Sequence, residues 1–129
     1  MARHIGEVAL LVRDYEEAIA WFIQKLDFAL IADAPVPTNE RWVTVAPPGS
    51  QAAVRLARAE TQRQRAQVGH QADERVLLYL HTDDFARDYA AYTARGVRFV
   101  EAPRQEAYGT VAVFEDLYGN RWDLIQRKR

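Results

Sequence analysis

The chain repeats itself, and the repeat limits the folds open to it. Asp14, Tyr15, Ala20 and Phe22 find counterparts in Asp84, Phe85, Ala90 and Tyr92 at an offset of 70. Phe28, Leu30 and Ile31 match Val97, Phe99 and Val100 at an offset of 69. Val43, Val45, Val54 and Leu56 match Val111, Val113, Trp122 and Leu124 at an offset of 68. Identities are few, but the order of elements and the phase of the apolar positions agree. The chain therefore reads as two copies of one supersecondary unit.

Glu7 to Arg13 alternates as a strand. Asp14 suits an N-cap, and Glu16 and Glu17 suit the first turn of the helix that follows. Ala18, Ile19, Phe22, Ile23 and Leu26 recur at helical spacing, so the helix is expected from about Tyr15 to about Lys25. Phe28 to Ile31 reads as a strand, and the stretch from Asp33 to Asn39, broken by two prolines, as a loop. Arg41 to Ala46 and Ala53 to Leu56 are strands around a Pro-Pro-Gly turn. The second copy runs in parallel. Val76 to Thr82 is a strand, Asp84 a cap, and Phe85, Tyr89 and Tyr92 mark a helix that Gly96 stops. Val97 to Val100 is a predicted strand, and Ala102 to Gly109 a predicted loop. Thr110 to Phe114 and Arg121 to Ile125 form a closing hairpin, with Gly119-Asn120 tolerating φ > 0 in its turn.

These elements predict an α+β fold, a single domain over residues 1–129 built from two tandem βαβββ modules. Module one spans about 4–57 and module two about 75–127. The polar, glutamine-rich connection at about 58–74 is expected to be exposed, with at most a short helical turn. Its Arg58, Arg63 and Arg65 lack aromatic partners and read as solvated. Each module buries one sheet face under its helix. The other faces need cover, so the curved mixed sheets are expected to form a cup with the helices outside. Alternation assigns Glu7, Ala9, Leu11, Ala53 and Arg55 to the cup face of module one, with Trp42 and Thr44. Leu77, Tyr79, His81, Arg121, Asp123 and Ile125 fall on the cup face of module two.

Charge and composition exclude several classes of function. With 17 basic and 18 acidic residues the net charge is -1, so no global field favours nucleic acid or a membrane surface. There is no cysteine, which rules out disulfides, thiolate catalysis and cysteine-based zinc sites. The N-terminus lacks the apolar run of a signal peptide, and no stretch is long enough to span a bilayer, so a cytoplasmic location is expected.

Several residues resemble a known family. Leu11-Val-Arg-Asp14, Lys25-Leu-Asp-Phe28 and Glu115-Asp-Leu-Tyr-Gly-Asn-Arg-Trp-Asp-Leu-Ile125, set in paired βαβββ modules, resemble the vicinal oxygen chelate superfamily. This is the glyoxalase, bleomycin-resistance and extradiol dioxygenase group. The likeness covers nearly the whole chain apart from the connection, and its members include isomerases, dioxygenases, transferases and non-catalytic drug binders. In metal-dependent members four equivalent positions supply ligands, and the resemblance carries these onto Glu7, Arg55, Leu77 and Asp123. Leu77 has no lone pair to give, and Arg55 stays protonated. Two carboxylates with a guanidinium form an ion-pair network instead, with Arg55 in the charge role of the cation.

The resulting expectation is a protein that binds a small planar or aromatic molecule in the cup, with no cofactor. One alternative is a lyase, isomerase or dioxygenase whose divalent metal is held by Glu7, His81 and Asp123. Another is a metal-free acid–base enzyme working through Glu7 or His81. Glu7 and Asp123 are read first as carboxylates neutralised by Arg55, and His81 first as a structural strand histidine. Trp42, Tyr79 and Tyr108 are candidates to stack on a flat ligand, with ordinary packing as the competing role. Arg121 is a candidate for a ligand carboxylate. His4 and His70 are expected to face solvent. Trp21, Phe22, Tyr89 and Tyr92 are expected in the core or a subunit contact, since a homodimer is the implied assembly.

Overall fold

The computed structural model describes residues 2–38 and 40–129; Asn39, the last residue of the predicted proline loop, lies outside them. Backbone contacts divide the chain into two units, one up to Val68 and one from Gly69 onward. The first holds β1 (Glu7–Val12), α1 (Tyr15–Leu26), β2 (Ala29–Pro35), β3 (Arg41–Ala46), β4 (Ala53–Arg58) and α2 (Gln62–Gln67). The second holds β5 (Val76–His81), α3 (Phe85–Ala94), β6 (Arg104–Glu106), β7 (Gly109–Glu115) and β8 (Arg121–Arg127). The fold is α+β, two βαβββ modules joined by the short helix α2. Each sheet has four strands, in the orders β1-β4-β3-β2 and β5-β8-β7-β6. The first and last strands of each module pair in parallel, the first strand lying at a sheet edge, and the other pairings are antiparallel.

In the first unit the Asp14 side chain accepts from the Glu17 backbone N–H at 2.9 Å, capping α1 as expected. The helix closes at Asp27, whose φ of 58° turns the chain left-handed. Phe22, fully buried, meets Phe28 at 5.5 Å between ring centres. Removing a side chain of that size from water contributes roughly 1.5–3 kcal/mol. Val43, Val45 and Leu56 share this core. β2 runs further than the sequence suggests, through Asp33 to Pro35. It is an edge strand, where a proline without an N–H is tolerated. α2 starts at a capping box: Thr61 accepts from the Gln64 N–H while Gln64 accepts from the Thr61 N–H.

In the second unit Asp84 caps α3, accepting from the Arg87 N–H at 3.1 Å, and Gly96 follows its end with φ 87°. Phe114 is fully buried. It stacks on Trp122 at 5.8 Å and meets Tyr92 of α3 edge-on at 5.7 Å. Two predictions need correction here. The segment 97–100 is not a full strand. Phe99 makes one bridge to Phe114, flanked by the bonds Val100 N–H to Val113 O and Glu115 N–H to Arg98 O. The outer strand is instead β6, inside the predicted loop, because pairing with β7 completes a sheet edge that its polar sequence does not advertise.

The repeat also needs one change of register. Thr44 opposes Arg55 in the first unit, whereas Val113 opposes Asp123 in the second. Val113 is therefore the counterpart of Thr44, an offset of 69 and not 68 for this strand. A slip of one residue exchanges the faces of a strand. Ala112 and Phe114 consequently turn toward the helix, and Val111 and Val113 lie on the opposite face with Asp123 and Ile125.

Candidate functional site

The open face of the second sheet is built by period-2 alternation on two parallel neighbours. Tyr79 of β5 lies in register with Asp123 of β8, and His81 with Ile125. Arg127 continues the same face one step beyond. The two-residue turn between β6 and β7 brings up Tyr108, held by the Lys128 N–H donating to its carbonyl at 2.9 Å. Tyr79, His81, Tyr108, Asp123, Ile125 and Arg127 line a recess of about 440 Å³. That volume lies within the range of small-molecule sites.

Two aromatic walls stand partly free, Tyr79 at 60% exposure and Tyr108 at 41%. The Arg127 guanidinium lies over the Tyr108 ring, 5.9 Å from its centre, as a cation–π pair. Asp123 forms the floor and is buried. Burial pushes its carboxyl group above the ordinary carboxylate range. Arg104 opposes that shift and Glu101 adds to it.

The hairpin contains a second buried carboxylate with a different fate. Asp116 accepts from the N–H groups of Tyr118 and Asn120, both at 3.0 Å, from Asn120 Nδ2 at 3.1 Å and from Trp122 Nε1 at 3.0 Å. Asn120 Oδ1 in turn accepts from the Gln71 N–H at 3.3 Å, tying the turn to the segment entering the unit. Asp116 is the structural lock of the hairpin, and it leaves Asp123 as the carboxylate of the recess. The motif Asp116-x-x-x-Asn120-x-Trp122 carried that signal, since a turn aspartate with an asparagine and an indole just beyond it can close on itself.

The remaining candidates are placed as follows. Leu77 is the residue inserted where the pairing of β5 with β8 shifts register, and it lies outside the recess lining. Arg121 donates to the Glu74 carbonyl at 3.1 Å and also lies outside it. In the first unit Glu7 is exposed on β1, opposite Ala53. Arg55 lies over Trp42, 4.9 Å from the ring centre, and its carboxylate partner is Glu40 at 3.7 Å rather than the expected Glu7. Glu40 sits in the segment entering β3, beyond the reach of strand alternation, so its proximity could not be read from spacing. Arg127 was missed because the face was followed only to Ile125.

Of the four positions at which the resemblance puts metal ligands, Leu77 has no donor atom and Arg55 carries a guanidinium engaged by Trp42 and Glu40. Among the described residues no three His, Asp or Glu side chains converge as a metal site. The donor set does not fit a divalent cation.

The chain is 50% identical to an uncharacterised protein of Shewanella frigidimarina, over 98% of its own length and 95% of the other's. It is 29% identical to TnmS3 of Streptomyces sp. CB03234, an antibiotic-binding protein, with a TM-score of 0.82 and 98% of both chains covered. A glyoxalase/bleomycin resistance protein/dioxygenase superfamily member from Sphaerobacter thermophilus is 26% identical, with a TM-score of 0.77 and 98% of both chains covered. The family model of that same superfamily matches residues 4–124, and with its paired βαβββ modules the chain belongs to the Glyoxalase/Bleomycin resistance protein/Dioxygenase superfamily.

Proposed function

We propose that this protein binds a small flat molecule on the open face of its second sheet, without a divalent metal and without chemistry on the ligand. The observation that carries the reading is the recess itself: two partly free tyrosine rings and an apolar Ile125 around a buried carboxylate. Tyrosines give large contact area at little entropic cost, because only two torsions are frozen. The antibiotic-binding character of TnmS3 supports the same reading. The substitutions at the ligand positions, Leu77 and Arg55, support the absence of metal from the chemistry.

Titration with flat aromatic compounds, followed by calorimetry, tests it. Saturable binding is expected, and Tyr79→Ala should weaken it roughly threefold to tenfold, the scale of one lost aromatic contact. Adding Mn, Fe, Ni, Zn or Mg salts should leave the affinity unchanged. Absence of saturable binding across a broad panel, or affinity that depends on metal, would sink the proposal.

The assembly proposed is a homodimer. Leu30 and Ile31 of the edge strand β2 are 42% and 56% exposed, and an apolar strand edge invites a second strand. Light scattering on the eluting peak should give twice the chain mass, and Ile31→Lys should return it to one. A monomer of the unsubstituted protein at micromolar concentration refutes the dimer.

A further inference from the structure

The two buried aspartates of the closing hairpin differ in one respect. Asp116 accepts four hydrogen bonds, whereas among the described residues no group donates one to the Asp123 carboxylate. The Asp123 oxygens open onto the recess, and a molecule that fills it without offering a donor would bury them unpaired, at a cost on the order of 1–3 kcal/mol. Asp123 lies on the floor of the recess, in register with Tyr79 and beside Ile125, so its oxygens face the space between the aromatic walls.

We propose that the ligand of this recess is an uncharged aromatic molecule bearing a hydroxyl or N–H donor on its ring, and that Asp123 recognises that donor. The inference rests on the binding function proposed above and names the class of ligand. The charges around the recess favour a neutral donor over an ammonium. Arg104 already acts on the Asp123 carboxylate, and a cation between the walls would meet the Arg127 guanidinium that lies over Tyr108. An anionic ligand would in turn meet Asp123. A neutral hydroxyl or N–H satisfies the carboxylate and adds no charge. The rings of Tyr79 and Tyr108 and the Ile125 side chain supply apolar contact for the ring plane.

2-Naphthol and 2-methoxynaphthalene share a ring system and differ in the donor, so the pair separates ring recognition from donor recognition. In the unsubstituted protein 2-naphthol should bind about tenfold tighter than its ether, as expected when a buried polar group is left unpaired by the analogue that lacks the donor. Asp123→Asn keeps an acceptor oxygen and should preserve the preference. Asp123→Leu removes it and should bring the two affinities to within about twofold. Circular dichroism and a thermal melt of each variant establish that it is folded before it is titrated. Equal affinity of both compounds for the unsubstituted protein overturns the donor inference while leaving the ring-binding function standing. So does a preference that survives in Asp123→Leu. If neither naphthalene binds, both the inference and the function beneath it fall.

Discussion

Gly69→Ala should destabilise the protein by about 3 kcal/mol, and Gly96→Ala by only about 1–2 kcal/mol. The two glycines make a matched pair. Both are left-handed, with φ of 81° and 87°, so alanine incurs the same backbone strain at either position. They differ in what the new methyl group meets. At Gly96 nothing lies within 4 Å. At Gly69 the Cβ would stand 2.0 Å from the Tyr118 carbonyl oxygen and 3.0 Å from its carbon. Both contacts are backbone, in a turn that Asp116 holds closed, so the turn cannot move aside cheaply. The segment 69–71 would have to lift, losing the bond from the Gln71 N–H to Asn120 Oδ1. Urea denaturation midpoints of the two variants measure the difference. Equal losses in the two would mean that the approach of Gly69 to Tyr118 carries no energetic weight.

The second large effect is expected at Asp116. Asp116→Ala leaves the Trp122 indole N–H, two backbone N–H groups and the Asn120 amide without their shared acceptor, and the site is buried. A loss of about 3–5 kcal/mol follows, at the upper end for one residue, because several donors are orphaned together. Ligand affinity should fall with it, since β8 carries Asp123, Ile125 and Arg127 into the recess only while the turn holds its register. Denaturation combined with the naphthol titration checks both parts. A variant as stable as the parent would show that the four bonds contribute nothing net.

The pH dependence of the same group has a definite sign. Burial pushes the Asp116 carboxyl group above its usual range, against the bonds from Trp122, Asn120 and Tyr118 that favour the charged form. The folded state therefore holds its proton more tightly than the unfolded state, where the pKa is about 3.9. Its contribution to stability is full below that value and declines as pH rises through the folded-state value. The stability advantage of the parent over Asp116→Asn should shrink between pH 3 and pH 7. An advantage that grows over that range would contradict the assignment.

Much of the fold was legible because its signals are local. Asp14 and Asp84 announce their helices through a bond spanning three residues, and Gly96 ends one through its own backbone freedom. Tyr79, His81, Asp123 and Ile125 fall on one face because strand alternation has a period of two. None of these needs a distant partner to be read. The sequence by itself thus determined the βαβββ repeat, the helix limits and most of the recess lining.

Other features were decided only by tertiary pairing. Residues 111–114 are apolar and buried at every position, so alternation offers no phase, and only the pairing of Val113 with Asp123 shows which of them turn toward the helix. β6 is polar, and becomes a strand because β7 needs an edge partner. Strand alternation singled out Asp123 in the closing hairpin, but the sequence did not show what would surround it or the turn residue Asp116. The folded chain separated them by surrounding Asp116 with four donors and leaving Asp123 with none. The alternation of a strand is carried by its own residues. Register and hydrogen-bond satisfaction belong to pairs of segments, and only the tertiary structure brings those pairs together.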